Sequence, residues 1–260
     1  MLTAIAAAPG GTLWLGGDVQ EGAADNPNGV GVIWRWNGHK FLIQYKGDNY
    51  GALSDVQVAS ISASSATNAW AVMNYQGTYH WNGRKWSEVS PAMDEVSTSG
   101  PDSAFAIGSG DLWRWDGKAW SQDGTTPSDY QMNSIATSSA TLAYAVGVNT
   151  SSYRPITMRF NGKAWSVLPV AQGRFGRLIS VSTAGSSVWA VAYTGLPPSF
   201  VIHSTGKVWS TQTLGKHDTV NAVSAQSANH AYVVGYSGSP TRTLFAVYNG
   251  HSWTILPSDI

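Results

Sequence analysis

The sequence predicts an all-β chain, a six-bladed β-propeller with four antiparallel strands per blade and no helices, and three observations carry that prediction. A sentence of aromatic, Asn-Gly and aromatic residues recurs: YHWNGRKWS at 79–87 returns as WRWDGKAWS at 113–121, MRFNGKAWS at 158–166 and YNGHSWT at 248–254. Its closing aromatic falls at Phe41, Trp86, Trp120, Trp165, Trp209 and Trp253, at spacings of 45, 34, 45, 44 and 44, so six units fill the 260 residues. Finally, short alternating apolar stretches are separated by Gly, Ser, Thr and Asn, and no stretch sustains a 3.6-residue apolar period.

Each unit reads as four strands in order. The first is a short alternating segment such as VASIS at 58–62, closed by a Ser/Thr/Gly/Asn-rich turn. The second is a compact apolar run with a central aromatic, as in NAWAVM at 68–73. An aromatic third strand leads into the Asn-Gly pair, which accepts the positive φ angles of a tight hairpin. A fourth strand then opens on the closing aromatic. The expected blades cover 2–46, 57–90, 93–124, 132–169, 178–214 and 220–257 of one domain, 1–260. Each repeat is then a whole blade, and no strand is borrowed from the other terminus. All thirteen tryptophans fall in second, third or fourth strands, which assigns them to packing between blades and leaves none for a loop. The residue before the third-strand aromatic is Arg35, His80, Arg114, Arg159, His203 and, in the sixth unit, Val247. A basic side chain among sheets needs a partner, and a hydrogen bond to a neighbouring blade or turn carbonyl is expected.

An apolar strand ending in Gly, an aromatic in the third strand and a Trp in the fourth resemble kelch-type repeats, as in the central domain of galactose oxidase. The resemblance spans nearly the whole chain. The paired glycine of that family occurs once, as Gly16-Gly17; other units keep a single Gly108, Gly147 or Gly235, or carry Met73 or Ala192. It implies the propeller architecture and favours binding over chemistry. The galactose oxidase cofactor needs a cysteine crosslink, which a chain with no cysteine cannot form.

Fifteen Lys and Arg balance fifteen Asp and Glu, so no excess charge gathers a phosphate backbone, and no nucleic-acid partner is expected. No apolar run approaches the ~20 residues of a membrane-spanning helix, so no membrane insertion is expected. The opening MLTAIAAAPGG lacks the pattern of a secretory leader. The charged share of 12%, about half the usual one, points to a bacterial extracytoplasmic or secreted setting, with a cytoplasmic one left open. A monomer is expected. The six histidines include no pair at metal-ligand spacing, no nucleotide or nucleophile motif is present, and no cofactor or catalytic residue is assigned. The oxygen-rich stretch at 17–29, with Asp18, Glu21, Asp25, Asn26 and Asn28, is a calcium-loop candidate, though a solvated loop is the plainer reading.

The first-to-second-strand turn and the Asn-Gly turn hold nearly constant length, whereas the second-to-third connections and the links between blades vary. In a propeller the variable connections share one face, and binding residues concentrate on such loops. The candidate ligand-binding residues are therefore Tyr50, Asp55, Asp94, Glu95, Tyr130, Arg174 and Arg177, over a groove lowered at the short-looped second and third blades. The expected function is non-catalytic recognition of a protein or carbohydrate. A glycoside hydrolase or lyase using Asp55, Asp94 or Glu95 is the alternative, and a structural or sensor module of a longer protein a third. Adjacent strand residues point to opposite faces, so Asp94 and Glu95 cannot both aim at one substrate.

Overall fold

The structure is a computed structural model that describes residues 1–21, 28–48, 56–170, 174–206, 208–238 and 241–257. It divides into two compact units, Met1–Asp123 and Gly124–Ile260. Each unit holds three four-stranded antiparallel sheets, each built from four strands consecutive in sequence.

In the first unit the sheets are β1 to β4 (Leu2–Ala8, Thr12–Glu21, Asn28–Trp36, Phe41–Lys46), β5 to β8 (Val58–Ser65, Asn68–Met73, Gly77–Trp81, Trp86–Val89) and β9 to β12 (Glu95–Gly100, Ser103–Gly108, Asp111–Trp115, Trp120–Thr125). The last of these strands straddles the boundary. In the second unit they are β13 to β16 (Tyr130–Ser139, Leu142–Asn149, Arg154–Phe160, Trp165–Leu168), β17 to β20 (Arg177–Ala184, Ser187–Tyr193, Phe200–Ser204, Trp209–Gln212) and β21 to β24 (Asp218–Ser227, His230–Ser237, Arg242–Tyr248, Trp253–Ile255). No helix occurs among the described residues.

In three of the six sheets a second-strand tryptophan packs onto the next sheet of the same unit. Trp14 meets Trp81 and Trp86 of the next sheet edge-on, with centroids 5.3 and 5.2 Å away. Trp70 repeats the arrangement against Trp115 and Trp120, both at 5.0 Å, and Trp189 against Tyr248 and Trp253. Edge-to-face packing sets the positive rim of one ring on the negative face of another. The buried indole N–H groups of Trp14, Trp70 and Trp189 meet no hydrogen-bond acceptor among the described residues.

The basic column has a different partner from the one expected. Trp14 pairs with Arg35 across the strand, Trp70 with His80 and Trp189 with His203. At three positions the basic group meets the aromatic of its own sheet: His80 stacks on Trp70 at 4.1 Å, His203 on Trp189 at 3.6 Å, and the Arg35 guanidinium sits 5.2 Å from Trp14. The histidine Nε2 atoms meet side chains, Asn68 Oδ1 and Ser187 Oγ, each at 2.8 Å. At these two histidines the partners are a side-chain oxygen and the ring of the same sheet, in place of the backbone carbonyl expected.

The Asn-Gly turn is also built differently. Four residues separate the paired strand ends, and only the glycine takes positive φ, as in Gly83 at 92° and Gly162 at 94°. The asparagine acts through its side chain: Asn82 Oδ1 accepts the N–H groups of Arg84 and Lys85, at 3.0 and 3.2 Å, and Asn37, Asn161 and Asn249 repeat this. Asp116 stands in for asparagine, and bonds from Ala119 and Lys118 hold its carboxyl below the ordinary range.

A third device recurs in the first strands. Ser60 Oγ accepts the Val96 N–H of the next sheet and Ser62 Oγ that of Thr98. Ser134 does the same for Val181, Ser180 for Val223 and Ser182 for Ala225. Adjacent first strands are thus clasped by hydroxyls.

Candidate functional site

Within the second unit, the end of the sheets opposite the Asn-Gly turns carries a hollow of about 460 Å³, lined by Tyr130, Ser152, Arg154, Ile156, Val170 and Arg174 among others. That volume is in the range of ligand pockets. Tyr130 opens β13 and pairs with Asn149. Asn149 organises the loop that follows it: its amide N–H binds Asp129 Oδ2 at 2.5 Å, and its Oδ1 accepts the N–H and hydroxyl of Ser152, at 2.7 and 2.8 Å. The Gly176 N–H donates to the Tyr153 carbonyl at 3.0 Å, tying the link between two sheets to this loop. Gly176 has φ 130°, and a Cβ there would press on the Tyr193 carbonyl at 2.8 Å. A side chain at 176 would therefore push the link off the loop.

Three guanidinium groups rim this end. Arg154 lies 5.2 Å from the Phe175 ring, Arg174 5.6 Å from Phe200 and Arg177 5.4 Å from Tyr193. All three arginines are exposed. No carboxylate stands within ion-pair distance of any of them among the described residues, where the side-chain ion pair is Lys46 with Glu21 in the first unit. Phe175 and Leu196, exposed by 62% and 79%, stand apolar on the same end.

Of the sequence candidates, the structure brings Tyr130 and Arg174 to one hollow and places Arg177 on β17, paired with Tyr193. Tyr50 and Asp55 lie outside the described residues, as do Asp25 and Asn26. Asp94 and Glu95 belong to the first unit. Asp94 lines a separate hollow with Tyr75 and Gln76, and its Oδ2 accepts the Ser109 N–H at 3.2 Å. Glu95 opens β9 opposite Ile107. Asp18 accepts the Gln20 amide and Glu21 holds Lys46, so both carboxylates of the calcium-loop candidate that are described have partners of their own. Sequence reasoning missed Arg154 and Phe175. Arg154 lies in the variable second-to-third connection VNTSSYRP at 148–155, where nothing marks an arginine before a proline as part of a rim.

A larger hollow, about 550 Å³, lies at the Asn-Gly end of the first sheet and includes Thr12, Arg35, Trp36 and Gln44. Its cation already covers Trp14 and Trp81. It also sits on the turn that every repeat keeps at constant length. We assign it to the scaffold.

No family model and no curated protein matches the chain. Solved structures do. YCF48 bound to D1 peptide superposes with a TM-score of 0.63 at 14% identity, covering 98% of this chain and 81% of that one. A GH74 xyloglucanase from Xanthomonas campestris gives 0.67 at 14% identity, over 95% of this chain and 45% of the enzyme. The Aleuria aurantia lectin, a six-bladed β-propeller with a novel fucose recognition mode, gives 0.56 at 13% identity, over 98% of this chain and 93% of the lectin. This chain is accordingly an all-β, six-bladed β-propeller. Its fold is one that recognition proteins use, and the matches span a peptide complex, an enzyme and a lectin, so function rests on the site.

Proposed function

We propose that the protein is a non-catalytic recognition propeller that takes a protein or glycan ligand at the loop end of its second unit. The observation that carries this reading is the hollow of about 460 Å³ with an apolar floor at Ile156 and Val170 and a rim of Tyr130, Arg154 and Arg174. A few oriented polar groups around an apolar floor is the usual make-up of a binding site. YCF48 with its peptide and the fucose lectin support recognition as a use of this fold. The setting we propose is extracytoplasmic, in keeping with the low charged share. The kelch-like reading of the repeats is supported by the glycine late in β14 and β22: a Cβ at Gly147 or Gly235 would run into a first-strand carbonyl, that of Gln131 or Thr219. Peptide and glycan arrays probed with the wild type, with Tyr130→Ala and with Val167→Trp, which puts an indole at an exposed lining position of the hollow, test the reading. Both variants should lose the captured ligand while keeping the wild-type melting curve. Turnover of a chromogenic glycoside, abolished by Glu95→Gln, would instead establish the hydrolase alternative.

A further inference from the structure

The zero net charge of the chain conceals a division. Residues 1–123 hold seven Lys and Arg against twelve Asp and Glu, a net of −5; residues 124–260 hold eight against three, a net of +5. At the loop end of the second unit the described acidic residues are Asp129, engaged by Asn149, and Asp218, which is buried. Among the described residues, Arg154, Arg174 and Arg177 have no carboxylate within ion-pair distance. Three guanidinium groups with no acid beside them among the described residues, on a unit of net positive charge, define a surface complementary to an anion.

The geometry narrows the class of anion. The accessible rings on which a sugar or a base would stack, Phe175 and Tyr193, each already carry a guanidinium, at 5.2 and 5.4 Å, and Phe200 under Arg174 is buried. A guanidinium over a ring keeps its N–H fork free at the edge, where it pairs two-pronged with a carboxylate. The hollow between Arg154 and Arg174 is floored by Ile156 and Val170, and exposed Phe175 stands beside it. An occupant therefore offers carboxylates to the rim and an apolar side chain to the floor.

We propose that the loop end of the second unit binds an acidic peptide segment of a partner protein. An aliphatic or aromatic side chain of that segment fills the hollow while flanking Asp or Glu carboxylates pair with Arg154 and Arg174, and a further one with Arg177. This rests on the recognition reading above and specifies its ligand.

The test uses the whole chain and a fluorescein-labelled decapeptide, Glu-Glu-Asp-Glu-Leu-Phe-Glu-Asp-Glu-Glu, against the same peptide with Gln and Asn for every acid. Binding by anisotropy is expected for the acidic peptide, at least about tenfold weaker for the neutral one, and about tenfold weaker for Arg154→Gln and for Arg174→Gln. Circular dichroism confirms that these exposed-site variants stay folded, and Lys163→Gln, at an Asn-Gly turn, serves as a charge control that binds normally. Hydrogen exchange should show protection at 150–156 and 167–170 on binding. Equal binding of both peptides, or arginine variants that bind normally, with that protection retained, overturns the acidic-peptide inference and leaves recognition at this end standing. Binding of heparin or of a single-stranded oligonucleotide at this end, with no binding of the acidic peptide, overturns it in favour of a polyanion. Protection appearing only in the first unit overturns both.

Discussion

A tryptophan wedged between sheets stabilises most when each face and edge of its ring is occupied. Trp70 has His80 on one face and Trp115 and Trp120 edge-on from the next sheet, and it is wholly buried. Truncating it leaves a cavity the size of an indole, so Trp70→Ala should cost about 3–5 kcal/mol in urea denaturation; a loss near 1 kcal/mol would mean the neighbouring rings collapse into the space. The stacked histidines carry a pH dependence. Burial holds the His80 and His203 imidazoles below their ordinary 6.5. The unfolded chain then binds protons that the folded one refuses, so this stability is complete above about pH 6.5 and is lost as pH falls through the lower folded-state values. The double variant His80→Phe/His203→Phe keeps a ring on each tryptophan and should lower Tm less steeply below pH 6.5 than wild type does. Equal slopes would assign the acid sensitivity elsewhere. That these tryptophans pack blades was legible, because the repeat register put all of them in strands. The stacking was not, because a basic residue one place before an aromatic has no visible partner until strand register sets it opposite the preceding strand's ring.

Between elements the work is divided among side-chain oxygens. Ser180 and Ser182 project from β17 and accept the N–H groups of Val223 and Ala225 on β21, at 3.3 and 3.0 Å. Removing an acceptor leaves a partly buried amide without a bond, at a cost of about 1–3 kcal/mol. Ser182→Ala should therefore destabilise by about that much and speed hydrogen exchange at Ala225 ahead of amides in β22; unchanged exchange at Ala225 would show that the clasp does not hold the two strands. The first-strand serines were readable as a repeated feature, yet a Ser-rich run between apolar residues looks like turn chemistry. What distinguishes the two uses is the neighbour supplied by the next sheet, which lies 36–47 residues away in sequence. The Asn-Gly turn shows the same limit. Its place and glycine were legible, while the second role of asparagine, binding two amides through Oδ1, needed the four-residue loop to be seen.

For the whole molecule, the opposed charges of its two units matter more than their sum. The sum alone led the sequence reading to expect no phosphate-bearing partner; the distribution appears only once the unit boundary at Asp123 divides the count. The loop residues of the site were legible by their variable length, and Tyr130 and Arg174 came from that reasoning. Arg154 and Phe175 were not, since their role depends on the Gly176 amide reaching the Tyr153 carbonyl. Retention on a charged resin follows local surface charge, because a matrix of either sign contacts one region of a protein at a time. At low ionic strength, where the screening length is about 30 Å at 0.01 M, a region the size of one unit acts as a whole. A protein of zero net charge at pH 7 should then bind both cation and anion exchangers. The triple variant Arg154→Gln/Arg174→Gln/Arg177→Gln brings the second unit from +5 to +2. It should elute from the cation exchanger at clearly lower salt, and from the anion exchanger at salt no lower than wild type. Flow-through of the wild type on both resins would show that the charges are too dispersed to act by unit, and would remove the electrostatic basis for a ligand of one sign.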